Sequence, residues 1–379
     1  MRTLCVSCLI VLQACSGSRG PLDASTPVPD AGGDAGGSYA ARVIHPDAGA
    51  DAGDSGPAIT WTEPFPALPF DTEEGVIGAA DGTPRVFHCT GTTLDEYTID
   101  AGAWTSRTLG STACTQAVAL HDGTAVTLEP SSNGVTLSLH AHPDAGLEFE
   151  MPTWGAVAGR TSPVIVITNY DALGLYGLDA GRLELLSTTA SPAAVPSIFF
   201  GGRAERSSAG VIFAAWSQAK RIVAGRFDGT AWTDLDSAAF GSDFQEYPPG
   251  LALTAAGQPL VVTTTVREWS GTSWVSLGSL MIPNVDYVQV PLVVVDTDGS
   301  VLVAWRAARA SFTTTRAIVS RVAEGTVTVL LDEPGATATS NTPRALWRDS
   351  ANQLWLAVSE RPTTGGGARL RFLRSTPLH

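Results

Sequence analysis

The feature that most constrains the fold is a turn that recurs about every 45 residues from Asp81 to the C-terminus. Each turn is rich in Asp, Gly, Ser or Ala and precedes a short run of Val, Leu, Ile, Thr and aromatic residues. No helical period lasts beyond a few residues, so the pattern predicts an all-β chain built from repeats. The strands predicted behind the turns span residues 85–89, 125–128, 164–168, 211–216, 260–266, 301–305 and 354–358.

A second kind of hairpin falls between successive members of the first. A large apolar residue stands on each side of its four-residue loop, and the loop contains Gly where the chain needs a positive φ. Such facing pairs stabilise a strand ladder by about 0.2–1 kcal/mol each. Two alternating hairpins per repeat predict units of four antiparallel strands. The clearest flanking pairs are Ile99/Trp104, Leu178/Leu183, Phe227/Trp232, Trp269/Trp274 and Val322/Val327.

The last repeat is one strand short. Its runs 346–348, 354–358 and 369–373 supply three strands before the chain ends at His379. Residues 58–62, with Trp61, read like the fourth strands of other repeats but stand before the first one. We therefore predict that this N-terminal strand pairs with the strand around Phe372, because closing the array removes the exposed edges that an open array would leave.

Over residues 58–379 the repeats resemble those of β-propeller proteins, without matching one family. Gly201-Gly202 is similar to the double glycine of kelch repeats, and residues 98–104 are similar to the Asp-box of sialidase-like propellers, although one residue shorter. The resemblance implies an all-β fold, a seven-bladed β-propeller of four-stranded antiparallel blades. Since the Asp-box is a turn-stabilising device, it implies a shared hairpin geometry and not a shared activity.

Residues 1–14 are typical of a bacterial lipoprotein signal peptide. Arg2 precedes an apolar run, 4–14, that is shorter than the ~20 residues needed to span a bilayer. The run ends in Leu12-Gln13-Ala14-Cys15, which resembles a lipobox. The resemblance implies lipidation of Cys15 and a place in the cell envelope, at the outer membrane because Ser16 and not Asp follows. An ordinary cleaved secretory signal is the alternative.

Residues 15–57 have the composition of a tether. Beyond Cys15 this segment has almost no large apolar residues and repeats Asp-Ala-Gly four times, so we expect a disordered spacer. Its acidic residues follow neither the twelve-residue nor the nonapeptide calcium-binding pattern. Residues 58–379 form the propeller.

The charge balance excludes one class of partner. The chain has 23 Lys and Arg against 37 Asp and Glu, a net charge of −14, and phosphate binding needs clustered basic residues. We therefore predict no nucleic-acid partner. The expected partners are the membrane, through the lipid anchor, and a protein or glycan ligand, and we expect a monomer.

The sequence favours a non-catalytic binding or scaffold module. It contains no G-x-S-x-G elbow, no H-E-x-x-H and no phosphate-cradling glycine loop. A sialidase-like or other glycan-processing propeller enzyme is the alternative. Such a site needs three arginines, and Arg85, Arg267 and Arg306 are available but follow no recognisable pattern. A purely structural envelope component is the third possibility.

Metal binding and cofactor binding are not predicted. His140 and His142 would point to one face of a strand, as two zinc ligands do, but no third ligand is evident near them. We therefore interpret them as a solvent-facing pair.

Two further predictions concern the propeller itself. Cys89 ends one predicted strand and Cys114 precedes another on the same face of the ring, so a disulfide between them is geometrically reasonable in an exported protein. The long connections of the later blades lie on that face, and loops of this kind commonly carry binding groups. Phe244, Tyr247 and Arg309 are the predicted ligand-face residues, and capping of the ring's edge is their alternative role.

Overall fold

The computed structural model describes residues 42–44 and 59–379, apart from 112, 121–122, 132–133, 140–146, 150–152, 159–163, 170–171, 180–181, 191–198, 219–220, 242–246, 284, 309–314, 334–338, 364 and 379. The chain divides into two compact units, Met1–Tyr39 and Ala40–His379, and every described residue belongs to the second. None of the helices in the described ranges is long and apolar enough to cross a membrane.

The second unit is all-β, as predicted. In the described part of the chain a short 3-10 helix, Ser237–Phe240, accompanies the strands. The strands are β1 (Arg42–Ile44), β2 (Trp61–Glu63), β3 (Val76–Gly78), β4 (Pro84–Cys89), β5 (Thr93–Asp100), β6 (Ala103–Ser111), β7 (Gln116–Ala119), β8 (Ala125–Ser131), β9 (Gly134–Leu139), β10 (Leu147–Phe149), β11 (Thr153–Ala158), β12 (Val164–Asn169), β13 (Ala172–Asp179), β14 (Arg182–Ala190), β15 (Phe199–Arg206), β16 (Ile212–Gln218), β17 (Arg221–Phe227), β18 (Trp232–Asp234), β19 (Gly250–Leu253), β20 (Pro259–Val262), β21 (Thr265–Trp269), β22 (Trp274–Ser279), β23 (Tyr287–Val295), β24 (Val301–Ala308), β25 (Thr315–Ala323), β26 (Thr326–Glu333), β27 (Thr339–Arg348), β28 (Gln353–Pro362) and β29 (Arg369–Pro377).

The strands in the described part of the chain form seven antiparallel sheets. Six have four strands each that follow one another in chain order, and the seventh has the order β1-β2-β29-β28-β27. The first strand of each sheet contacts the first strand of the next: β3 with β7, β7 with β11, β11 with β15, β15 with β19, β19 with β23, β23 with β27, and β27 again with β3. The contacts between sheets thus run in a closed cycle.

The turn between the first and second strands explains the recurring Asp-Gly signal. In the sixth sheet the backbone N–H of Asp296 donates to the carbonyl of Ser300 at 2.8 Å, and the Ser300 N–H donates to the Asp298 carboxylate at 2.8 Å. Gly299 closes this turn with φ of 85°, a conformation that side chains disfavour. Local chemistry therefore fixes the start of each second strand.

One predicted strand is wrong. The run 260–266 is not continuous, because β20 ends at Val262 and β21 begins at Thr265. The Thr263 N–H donates to the carbonyl of Thr265 at 3.0 Å, which makes a tight turn inside a run of residues with high strand propensity. Propensity alone does not distinguish this turn from a strand.

The N-terminal strand β2 pairs with β29, with Trp61 opposite Ser375 and Thr62 opposite Arg374. The register lies three residues beyond the predicted Phe372. Trp61 is fully buried in a cluster of leucines, and its indole N–H donates to the carbonyl of Leu330 at 3.0 Å. This strand is therefore part of the core and not a loose extension.

A buried ion-pair network joins the same strands. Arg371 of β29 contacts Glu63 of β2, and its Nη1 lies 2.9 Å from Glu333 and 3.3 Å from Glu360. All four side chains are about nine-tenths buried. Nearby carboxylates outweigh the effect of burial and raise the pKa of Arg371, so the guanidinium stays charged.

Candidate functional site

A cluster of polar side chains gathers at the ends of the sheets that lie opposite the first-to-second strand turns. We call it the arginine cluster and define it by Asp71, Tyr247, Arg306, Arg344 and Arg361. These residues come from the connections before β3 and β19 and from strands β24, β27 and β28. The cluster therefore draws on the fifth, sixth and seventh sheets and on the connection into the first.

The residues beside Asp71 attach its segment to the first sheet. The Phe70 ring stacks on His88 at 4.0 Å and contacts Tyr97 at 4.8 Å. On the other side, the Thr72 hydroxyl donates to the carbonyl of Phe87 at 3.1 Å. The Asp71 carboxylate is thereby held at a fixed position, where side chains of the seventh sheet reach it.

Arg344 reaches Asp71 because it occupies a β-bulge. The register of β27 against β28 shifts between Pro343 and Ala345, and the extra residue is Arg344. Bulges redirect side chains in this way. Its Nε lies 3.0 Å from Oδ1 of Asp71 and its Nη2 lies 2.5 Å from Oδ2, a bidentate pair, while Nη2 of Arg361 lies 3.7 Å from the same Oδ2.

Among the described residues, Arg306 faces Tyr247 rather than a carboxylate. The guanidinium carbon lies 5.6 Å from the centre of the Tyr247 ring. Burial lowers the pKa of Arg306, Tyr247 opposes that shift, and the neighbouring guanidinium groups of Arg344 and Arg361 lower it further. The three cations are thus close enough to repel one another, and Asp71 is the carboxylate among the described residues that offsets this repulsion.

A strained segment adjoins Arg306. Gln289 of β23 lies directly opposite Arg306 on β24, and a bulge follows it. Gln289 is 5% exposed, yet within the described part of the chain its Oε1 has no hydrogen-bond partner, and neither does the buried Nε of Arg306. Val290, the next residue, has φ of 49°, a conformation that a β-branched residue rarely adopts and that costs about 1–3 kcal/mol.

These groups suit an anionic ligand that also carries hydroxyl groups. As the described residues define it, the cluster combines three guanidinium groups with one carboxylate, in a chain whose net charge is −14. Guanidinium groups bind carboxylates through paired hydrogen bonds. The Gln289 carbonyl oxygen is an acceptor for a ligand hydroxyl, and the Tyr247 ring offers an apolar face.

Of the predicted ligand-face residues, Tyr247 lies in the cluster, half-buried. Phe244 and Arg309 lie outside the described residues, as do Cys15 and the pair His140 and His142. Within the described ranges no three His, Cys, Asp or Glu side chains are grouped so as to hold a metal ion.

The structure joins Cys89 and Cys114 by a disulfide, with Cα atoms 5.6 Å apart. Cys89 ends β4 and Cys114 lies just before β7, so the bond links the first sheet to the second. It lies on the same side of the sheets as the arginine cluster.

The three arginines considered for a sialidase-like site do not converge. Arg85 pairs with Glu96 in the first sheet, and Arg267 lies over the Phe240 ring in the fifth. Sequence reasoning missed Arg344 and Arg361, which join Arg306 instead. Arg306 and Arg361 both lie near the ends of second strands in consecutive sheets, a regularity visible in the repeats, whereas nothing in the sequence marks the bulge at Arg344.

Comparison with known proteins supports the fold and leaves the function open. No family model matches the chain, and no curated protein matches it. The WD40 domain of Toxoplasma gondii coronin is similar in structure, with a TM-score of 0.50 at 9% identity, over 85% of this chain and 87% of that one. The polysaccharide lyase Uly1 gives a TM-score of 0.47 at 8% identity, over 81% and 90% of the two chains. A luciferin-regenerating enzyme gives 0.40 at 10% identity, over 82% and 92%.

The likeness to the coronin domain shows the fold alone, which is of the WD40 or propeller type. The names of the similar structures span unrelated functions, so none is transferred.

Proposed function

We propose that this chain is a non-catalytic, lipid-anchored propeller of the cell envelope that binds an acidic sugar at the arginine cluster. The observation that carries the proposal is the convergence of Arg306, Arg344 and Arg361 around Asp71, the one carboxylate that the described residues place there, in an acidic chain. A ligand carboxylate relieves the repulsion among the three cations.

The sugar part of the proposal rests on Gln289 and Tyr247. A buried amide oxygen without a partner costs about 1–3 kcal/mol, and a ligand hydroxyl placed against it recovers that cost. The strain at Val290 beside it is of the kind that proteins keep at binding sites. A simple carboxylate would satisfy the guanidinium groups but not the amide.

The proposed architecture is a ring of seven blades closed by the N-terminal strand. Two features support it: the cycle of contacts among the first strands of the seven sheets, and the pairing of β2 with β29. Closure of this kind supplies the last blade with its fourth strand, β2, outside which β1 adds a fifth. It also brings Asp71, just after the closing strand, to the last and first blades.

The anchoring part of the proposal rests on the lipobox-like sequence ending at Cys15. We expect the wild-type chain to sediment with membranes and to incorporate a labelled fatty acid, and Cys15→Ala to do neither. Stable anchoring needs more than one acyl chain, as lipoprotein processing supplies. Equal membrane association of the two forms would contradict the anchor.

Titration calorimetry with glucuronate and glucose tests the ligand class. The two sugars share a ring and hydroxyl groups and differ in the carboxylate, so we expect glucuronate to bind and glucose to bind far more weakly. Arg306→Gln should weaken glucuronate binding by about 10- to 150-fold, because a hydrogen bond to a charged group contributes about 1.5–3 kcal/mol. Nuclear magnetic resonance spectra of glucuronate after incubation with the protein should show the sugar chemically unchanged, as expected for a non-catalytic binding protein.

Arg267→Gln is the matched control, because Arg267 is a partly buried arginine of another sheet that lies over Phe240. It should leave glucuronate binding unchanged. Arg306→Gln keeps the Arg344–Asp71 pair and should fold normally, which its circular dichroism and melting temperature check. Equal affinity for the two sugars, or equal affinity of the two variants for glucuronate, would refute the proposed site.

A further inference from the structure

A cavity lies at the end of the sheets opposite the arginine cluster, between their first strands. It has a volume of about 300 Å³ and is lined by residues of β3, β15, β19, β23 and β27. Its described wall is mostly apolar, with Val76, Leu253, Val293 and Leu346 among its residues. We call it the axial chamber. None of the described lining residues of the chamber belongs to the arginine cluster.

Trp347 is the largest side chain of the chamber wall, and packing fixes it rigidly. On one side it lies against Gly78, where a side-chain carbon would come within 2.1 Å of its indole ring. It also stacks on Trp355, with ring centres 5.8 Å apart and planes 11° from parallel. The ring therefore has little freedom to turn its N–H toward another partner.

The indole N–H of Trp347 is buried and has no hydrogen-bond partner among the described residues. By contrast, five other tryptophans of the described chain donate an indole N–H hydrogen bond to a protein oxygen: Trp61, Trp104, Trp274, Trp305 and Trp355. An unpaired buried donor is costly, so its presence in a cavity wall indicates an acceptor that the described residues do not supply.

The charged groups around the chamber are already engaged. Arg348 is paired with Asp296, and Glu205 also has a partner. On the side toward the arginine cluster, Nη2 of Arg203 lies 3.4 Å from Glu74. Arg203 and Glu74 precede the wall residues Glu205 and Val76 by two positions on extended segments, so their side chains lie on the same face. This ion pair therefore adjoins the chamber on the side toward the arginine cluster.

We infer that the axial chamber binds a small uncharged ligand with a planar apolar body and one oxygen acceptor, which receives the hydrogen bond of Trp347. The volume corresponds to about ten non-hydrogen atoms, at roughly 30 Å³ for each water-sized unit. The apolar wall accommodates the body of the ligand, and the paired charges disfavour an ionic one. This site is independent of the proposed sugar site.

Acetophenone and 2-phenylpropene test the inference, since they have nearly the same shape and differ in a carbonyl oxygen against a methylene group. Each can be titrated into the full ¹⁵N-labelled chain while the indole N–H signals of its ten tryptophans are followed. The Trp347 signal is assigned by its loss in Trp347→Phe. We expect both compounds to bind. Acetophenone should bind about two- to twelvefold more tightly than 2-phenylpropene, because it accepts one neutral hydrogen bond that 2-phenylpropene cannot accept. Acetophenone should also shift the Trp347 indole signal downfield.

Two variants separate the hydrogen bond from the cavity. Trp347→Phe should bind the two compounds equally, and Ala252→Leu, which fills the chamber from β19, should bind neither. Val275→Leu, on the exposed face of β22, is the control and should bind like wild type. Equal affinities in the wild type, no binding of either compound, or undiminished binding to Ala252→Leu would overturn the inference. Arg306→Gln should leave acetophenone binding intact, so failure of one site is distinguishable from failure of the other.

Discussion

Replacing Trp61 by alanine should cost the fold about 3–5 kcal/mol. Trp61 is fully buried in the core cluster that includes Leu354 and Leu373, so truncation to alanine leaves a large cavity there. It also removes the indole donor that lies 3.0 Å from the carbonyl of Leu330. Since whole domains are stable by about 5–15 kcal/mol, the loss is a large fraction of the margin.

The milder change Trp61→Phe divides this cost into its parts. Phenylalanine keeps an aromatic ring in the cluster but cannot donate to Leu330, so we expect a loss of about 1–3 kcal/mol, the cost of an unpaired buried carbonyl. Val329→Ala, at a position 37% exposed on β26, should change stability by less than about 0.5 kcal/mol.

Urea denaturation of the purified chain, followed by circular dichroism, measures all three variants. The expected order of stability is wild type and Val329→Ala together, then Trp61→Phe, then Trp61→Ala. If Trp61→Ala unfolds within about 1 kcal/mol of wild type, the N-terminal strand is not part of the core, and the reasoning about closure is refuted.

Three further predictions use the same assay or a simple chemical one. Arg371→Met leaves buried carboxylates without their cation and should lower the free energy of unfolding by about 3–5 kcal/mol. The control Arg369→Met, at a mostly exposed side chain, should lower it by no more than about 1 kcal/mol. Equal losses in the two variants would contradict this prediction. Burial alone would raise the pKa of Glu96, but hydrogen bonds from two arginines hold this pKa below 4.5. The ionised form of Glu96 therefore stabilises the fold above pH 4.5, and this stabilisation is lost as the pH falls through the folded-state pKa. The loss of unfolding free energy in Glu96→Gln should accordingly shrink on acidification, and a loss that does not change with pH would exclude this coupling. The Cys89–Cys114 bond, across a separation of 25 residues, should add about 3 kcal/mol, and thiol titration of the unfolded, unreduced mature chain should find neither cysteine free.

The architecture was predictable because its signals are local. Turn residues such as Asp298 and Gly299 set the hairpins through contacts within a few residues. Strands such as β20 and β24 are nearly continuous apolar runs because both of their faces are buried. The same locality explains the wrong strand over 260–266. Thr263 turns the chain through its own backbone, although its residue type favours strands.

The arginine cluster was only partly predictable, because it is assembled across repeats. Tyr247 was found since aromatic residues in a long connection stand out in the sequence. Arg344 points at Asp71 only because a bulge interrupts β27. Asp71 is held there because its neighbour Phe70 stacks on His88 of the first sheet. No local sequence pattern marks the bulge, and none marks the pairing of Arg344 with Asp71, which are 273 residues apart in the chain.

A crystal structure of the chain soaked with glucuronate tests the central claim most directly, because it locates the carboxylate. The account predicts that a carboxylate oxygen lies within about 3.2 Å of guanidinium nitrogens of Arg306 and Arg361, and that a sugar hydroxyl lies against Oε1 of Gln289. A sugar bound elsewhere, or bound at Tyr247 with its carboxylate turned to solvent, would contradict it.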